Sequence, residues 1–159
     1  MKLLRITIVG FLKLKLKFNS PYKGYSLQGK HEIRPAHKEY LTFNFSFLSD
    51  DPDHNLDKNS KTINKKVRLK LLERITNLSS RNIVEVLNLR REEGFERIDE
   101  DQVSISVNKK FIQSKRHLEC DDGYWIFRLN DLGRVIGRKN ENIYYLLAID
   151  TKFEMYSHG

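Results

Sequence analysis

Residues 124–156 read YWIFRLNDLGRVIGRKNENIYYLLAIDTKFEMY, and the fold class rests on them. Three apolar runs, YWIFRLN, GRVIGRK and NIYYLLAID, follow one another with only short polar breaks. Asn130-Asp131 with Gly133 supplies turn chemistry in the first break and Asn140-Glu141-Asn142 in the second. Connections this short make consecutive strands pair as hairpins, so the stretch predicts an antiparallel meander. Arg128, Arg134, Arg138 and Lys139 all fall on it. Converging cationic groups on a sheet suit a phosphate or RNA platform, as they also suit an ordinary solvated sheet face.

Upstream, VSISV at 103–107 predicts a further strand, joined to the meander by a polar connector running to Asp122. Before it, Ile63, Val67, Leu71, Ile75 and Leu78 recur at helical spacing, with Lys65, Lys66, Arg68, Lys70 and Arg74 elsewhere on the surface. A second helix, capped by Ser79 or Ser80, is expected through Ile83, Val84 and Leu87 to Arg90-Arg91, with Gly94 as its stop. Two helices so closely joined predict an antiparallel pair. Residues 40–48, YLTFNFSFL, alternate Leu41, Phe43, Phe45 and Phe47 against polar neighbours, the pattern of a half-buried strand. Two more strands are expected at 3–9 and 11–18, the second with Lys13, Lys15 and Lys17 along one face. That lysine row fits a track along a phosphate backbone or the protection of an exposed edge strand. Residues 19–39 read as loop.

The expected architecture is α+β: a mainly antiparallel sheet, a helical hairpin packed on one face, and a C-terminal β-meander. A chain of 159 residues has the length of one domain. Residues 1–39 form its basic strands and loop, and 40–159 its core. With 39% apolar and 31% charged residues it carries enough Phe, Tyr, Leu and Ile to pack. Cys120 is the single cysteine and has no disulfide partner within the chain, and residues 1–16 alternate apolar residues with lysine, unlike a secretory signal. A reducing cytoplasm is therefore expected, and no apolar run reaches the roughly 20 residues of a membrane helix. The formal charge is +8, concentrated in two blocks: residues 1–40 carry nine Lys or Arg against two acids, and residues 61–91 again nine against two. Such blocks favour association with nucleic acid, acidic protein or anionic surface.

The coarse order of elements after residue 39 is strand, helix, helix, then four strands. With arginines on the meander and Tyr156 and His158 at its end, this order resembles the RelE/HigB/ParE group of toxins. The resemblance implies a helical hairpin on a small antiparallel sheet, and, for the ribonuclease members, mRNA cleavage by basic, His and Tyr residues lining that sheet. It also implies an acidic antitoxin-like partner over the basic blocks. The C-terminal segment is similar, too, to short uncharacterised bacterial proteins ending in GRVxGF, an FYV run and LDxxHxLY. Gly133-Arg134-Val135-x-Gly137, Ile143-Tyr144-Tyr145-Leu146, Ile149-Asp150 and Tyr156 carry that likeness, with Phe153 where those proteins have histidine.

A metal-independent ribonuclease needs a base for the ribose 2′-OH, cations for the charged phosphorane and an acid for the leaving oxygen. Arg134, Arg138, Tyr156 and His158 are the catalytic candidates. Lys13, Lys15, Lys17, Lys66, Lys70, Arg128 and Lys139 are the candidates for holding nucleic acid. No cofactor and no metal is expected. Asp131, Asp150 and Lys152 offer a weaker Mg²⁺-nuclease pattern, and His117-x-x-Cys120 only half a zinc site. Asp51, Asp53, Asn55 and Asp57 alternate as in a calcium loop, but Leu56 replaces the turn glycine and Thr62 the bidentate Glu, so the segment reads as a solvated loop. The competing function is a non-catalytic phage or mobile-element protein that engages a protein or nucleic-acid partner.

Overall fold

The computed structural model describes residues 39–156, which all belong to one compact unit. The strands expected at 3–9 and 11–18, with Lys13, Lys15 and Lys17, and also His158, lie outside the described residues. Five strands form one sheet: β1 (Thr42–Asn44), β2 (Glu96–Ile98), β3 (Tyr124–Arg128), β4 (Arg134–Asn140) and β5 (Ile143–Asp150). Their spatial order is β1-β5-β4-β3-β2. The β2–β3, β3–β4 and β4–β5 pairings are antiparallel, and β1 runs parallel to β5. The fold is α+β, and its sheet is antiparallel apart from one parallel edge.

One long helix, α1 (Lys65–Ser79), begins where the Asn64 carboxamide oxygen accepts the Lys66 and Val67 amides at 2.9 and 3.1 Å. Its Val67, Leu71 and Leu78 are buried, as their spacing predicts. The second helix, α2, is only Ile83–Leu87. Its cap is Asn82, not Ser79 or Ser80, whose hydroxyls bond back to the carbonyls of Thr76 and Asn77 at the end of α1. It ends at Asn88, whose carboxamide donates to the Val84 carbonyl at 2.7 Å, well before Arg90 and Gly94. Where two comparable helices were expected, there is one of fifteen residues followed by one of five.

Two strand expectations also change. Within 40–48 only three residues pair, because the Asn44 side chain accepts the Ser46 amide at 2.9 Å and turns the chain out of the ladder. The turn sends Phe43 and Phe47 to opposite sides of the sheet: Phe43 meets Phe127 and Tyr144, whereas Phe47 meets Phe111 and Tyr145. Residues 103–107 are not a strand. Val103, Ile105 and Val107 are half-buried against the core, and Ser104 donates its amide to the Met155 carbonyl at 2.7 Å, but no ladder forms. Alternation there reported burial, which needs no neighbouring strand. The first of the four later strands is instead Glu96–Ile98.

Both faces of the sheet are covered. α1 packs on Phe127, Val135, Tyr144, Leu146 and Ile149. A third helix, α3 (Lys109–Gln113), packs with Met155 and Tyr156 on Tyr124, Ile126, Ile136, Tyr145 and Leu147. β5 serves both cores by alternation, and a register shift adds one residue to it: Ile136 faces Ala148 but Gly137 faces Leu146, which leaves Leu147 as an extra residue. Leu147 and Ala148 thus both enter the α3-side core before Ile149 returns to the α1 side.

The shift also explains Gly137. A Cβ there would stand 2.3 Å from the Tyr145 carbonyl oxygen and 2.5 Å from Cζ of Tyr144, whose hydroxyl crosses the strand to donate to the Trp125 carbonyl at 2.7 Å. Gly137→Ala is expected to lower stability by about 2–4 kcal/mol, since neither the backbone nor the fully buried ring can yield. Urea unfolding checks this, the expected result being a lower midpoint at unchanged slope.

Candidate functional site

The residues singled out on the meander fall into two groups. Arg134 is 2% exposed and lies between carboxylate and rings. Its Nε donates to Asp150 Oδ2 at 3.3 Å and its Nη2 to the Tyr156 carbonyl at 3.1 Å. The guanidinium carbon stands 3.7 Å from the centre of the Tyr156 ring and 5.0 Å from that of Phe153. Asp150, fully buried, also accepts the amides of Glu154 and Met155 at 3.2 and 3.1 Å. Gly133 precedes this arginine at φ 137°, where a Cβ would meet the Asp150 carbonyl oxygen at 2.7 Å. Gly133, Arg134, Asp150, Phe153 and Tyr156 therefore form one cluster that folds residues 150–156 against the end of β4 and β5.

Arg128, the cross-strand partner of Arg134, lies 3.5 Å from Glu96. Burial raises the Tyr156 phenol above its ordinary range, against the hydrogen bond and charge of Arg134. Lys139 points to the other side of the sheet. It is 6% exposed, ion-paired with Asp121, and 4.9 Å from the Trp125 ring. Of the helical candidates, Lys66 is exposed and Lys70 pairs with Glu73 at 2.9 Å. Lys152 reaches Asp53 at 3.3 Å, away from Asp150, and the Asp150 oxygens are already engaged. Among the described residues no group of three or more His, Cys, Asp or Glu is placed to hold a metal ion.

Arg138 shares a face with Arg134 but belongs to a different environment, a cleft of about 320 Å³ between the sheet and the α3 layer. The sequence places that layer through Asn108. Its oxygen caps the Lys110 amide at 2.9 Å, and its nitrogen donates to the Leu48 carbonyl at 2.8 Å and to Asp50 at 3.1 Å. Phe111, 1% exposed, then packs on Phe47 and Tyr145. Lys115, at φ 60°, turns the chain into a 3-10 segment, Arg116–Glu119, which sets His117 6.3 Å from the Phe111 ring. Ile112 and Leu118, 48% and 72% exposed, line the same cleft.

The polar lining is Arg138, Tyr124, His117 and Glu100. Arg138 donates from Nη1 to Glu100 and from Nη2 to the Asp121 carbonyl at 3.1 Å, and its guanidinium lies 5.5 Å from the Tyr124 ring centre. Its Nε and the Nδ1 of His117 are buried without a hydrogen-bond partner. Burial pushes the Tyr124 phenol up, while the charge and hydrogen bond of Arg138 pull it down. The cleft thus joins a fixed cation, an imidazole, a phenol and an apolar wall, a set suited to an anionic ligand with an apolar ring.

His117 and Glu100 were not among the expected catalytic or nucleic-acid-binding residues: His117 lies in the stretch 108–122 read as a polar connector and was weighed only as half a zinc site, and Glu100 lies in the acidic stretch before Val103. The signal was present in Phe111, Ile112 and Leu118, whose spacing fits one side of two successive helical turns. No protein family, curated protein or solved structure gives a significant match to this chain. No helix among the described residues is long and apolar enough to cross a membrane.

The two arginines are expected to separate in unfolding experiments. Arg134→Ala leaves Asp150 buried without its cation and should cost about 3–5 kcal/mol. Arg138→Ala removes a pair with a carboxylate that is 59% exposed, and should cost about 1–2 kcal/mol. Equal losses in urea titrations of the two variants would contradict this division.

Proposed function

We propose that the protein is an RNA-directed, metal-independent endoribonuclease of RelE-like architecture, acting in the cytoplasm, with the Arg138 cleft as its working site. The observation that carries this reading is the gathering of Arg138, His117 and Tyr124 in one cleft on a sheet that is otherwise covered on both faces. The antiparallel run of β2, β3, β4 and β5 that follows α1 and α2, with α3 between β2 and β3, also supports it. In the proposed reaction His117 takes the proton of a ribose 2′-OH. With Nδ1 shielded, Nε2 is the nitrogen that exchanges it. The 2′-oxygen attacks phosphorus while the bond to the 5′-oxygen breaks, and the leaving oxygen takes a proton from the imidazolium or from water. The products are a 2′,3′-cyclic phosphate and a 5′-hydroxyl. Arg138 stabilises the charge on the phosphorane, and Tyr124 supplies a neutral hydroxyl beside it. Arg134 and Tyr156, the earlier candidates, hold the sheet end in this reading.

Incubation with end-labelled RNA in EDTA tests the proposal. Cleavage is expected, with a loss of about 10²-fold or more in His117→Ala and Arg138→Gln. Cleavage that needs Mg²⁺, or that survives both substitutions, would rule it out.

A second reading, a non-catalytic protein of a phage or mobile element that engages an acidic protein, is favoured by the outer side of α1. Leu69 and Leu72 are 66% and 60% exposed there, with Lys66 beside Leu69 and Leu132 in a shallow groove. An acidic amphipathic segment, antitoxin-like or belonging to a target, complements this surface. A synthetic Glu/Leu amphipathic peptide is expected to bind wild type in fluorescence anisotropy and to lose about tenfold in affinity with Leu69→Ser/Leu72→Ser. Equal binding to the double variant, or to a Lys/Leu peptide, would count against it.

A further inference from the structure

The basic residues of β4 differ in the carboxylates that hold them. Arg134 and Asp150 are both buried, at 2% and 0% exposure. Arg138 is also buried, at 8%, but its partner Glu100 comes from a three-residue 3-10 turn, Glu100–Gln102, and 59% of that side chain is in solvent. An ion pair with one arm in water contributes little and is easily exchanged. Phosphate oxygens, by contrast, take a guanidinium in a two-point, charge-assisted geometry. Arg138 also retains a buried Nε with no protein partner, so its hydrogen-bonding capacity is not filled by Glu100 and the Asp121 carbonyl. Beside this cation the cleft is apolar, walled by Phe111, Leu118 and Leu147. A volume of about 320 Å³ stands at the small end of ligand sites and has room for one nucleotide.

We infer that the cleft seats a single unpaired ribonucleotide, whose phosphate displaces Glu100 from Arg138 while its base enters against the apolar wall. Glu100 is then an internal stand-in for the phosphate, occupying the guanidinium until the ligand arrives. The choice of a ribonucleotide rests on the RNA-directed reading above, but the seat itself stands on binding and requires no cleavage. Its signature runs opposite to that of a catalytic or structural contact, because removing the Glu100 charge improves binding. A base must leave its helix to enter a cleft beneath the α3 layer, so the ligand is single-stranded.

The test uses the full chain and ribonucleoside 3′-monophosphates in calorimetric titrations, with inorganic phosphate and the unphosphorylated nucleoside as component probes. The mononucleotide is expected to bind wild type more tightly than either component. Glu100→Gln should tighten it about two- to fivefold, the strength of one partly exposed ion pair. Arg138→Gln should weaken it at least tenfold, and Leu118→Ala should weaken the nucleotide while leaving inorganic phosphate unchanged. Glu100 is exposed enough for the charge-neutral variant to fold, which a thermal melt of each protein verifies. Unchanged or weaker binding in Glu100→Gln overturns the inference, as does absence of binding to both proteins. Nucleotide binding as described without RNA cleavage retains the seat and removes the ribonuclease reading. Cleavage with no response to Glu100→Gln does the reverse.

Discussion

A buried arginine facing a buried aspartate sets the terms for this sheet. Arg134 and Asp150 stand opposite each other on β4 and β5. Neither ion is tolerable at that depth without the other. The pair constrains its surroundings further: Asp150 needs the amides of Glu154 and Met155, and Arg134 needs the Tyr156 carbonyl and ring. The chain after β5 must therefore fold back over the α3-side face. Gly133 follows from the same constraint, since a side chain there would strike the Asp150 carbonyl. Residues that look like scattered chemistry in GRVIG and AIDTKFEMY are thus parts of a single mechanical joint.

That joint illustrates what the sequence made legible. The meander and its turns were readable because β3, β4 and β5 are local neighbours and their pairing depends on short connections. The positions of Arg134 and Arg138 on one face were readable from the period of two, but the difference between their partners, a buried Asp150 and an exposed Glu100, was not. It depends on the segments that cover the sheet, residues 99–120 and 150–156, which meet it through long-range contacts such as Ser104 to Met155 and Asn108 to Leu48. The same blindness turned VSISV into a strand and hid the real one at Glu96–Ile98, three residues too short and too charged to show alternation. α1 was legible because Val67, Leu71, Ile75 and Leu78 recur at helical spacing within one local segment, whereas Ile63, read with them, lies before the Asn64 cap. α2 was overestimated because Asn88, whose side chain closes the helix, looks no different in sequence from a helix-surface residue.

Covering both faces changes where binding can occur. A platform would need an open face, and this sheet offers none among the described residues. What remains is the gap where the layer carrying Phe111 and His117 does not seal against Arg138 and Tyr124. The rigid strands supply a fixed cation there, and the irregular layer supplies the imidazole and the apolar mouth. The division is a common one: the scaffold holds, and the connections around it carry the variable chemistry.

The parallel edge has a consequence for how the chain reaches this state. β1 pairs with β5, Thr42 opposite Ile143, so about 100 residues must be made and gathered before β1 finds its neighbour. The meander, by contrast, closes through local contacts. A nascent chain would therefore carry Leu41, Phe43 and Phe47 unsheltered until almost all of the domain exists, and closure of this edge would be the slow, aggregation-sensitive step of folding.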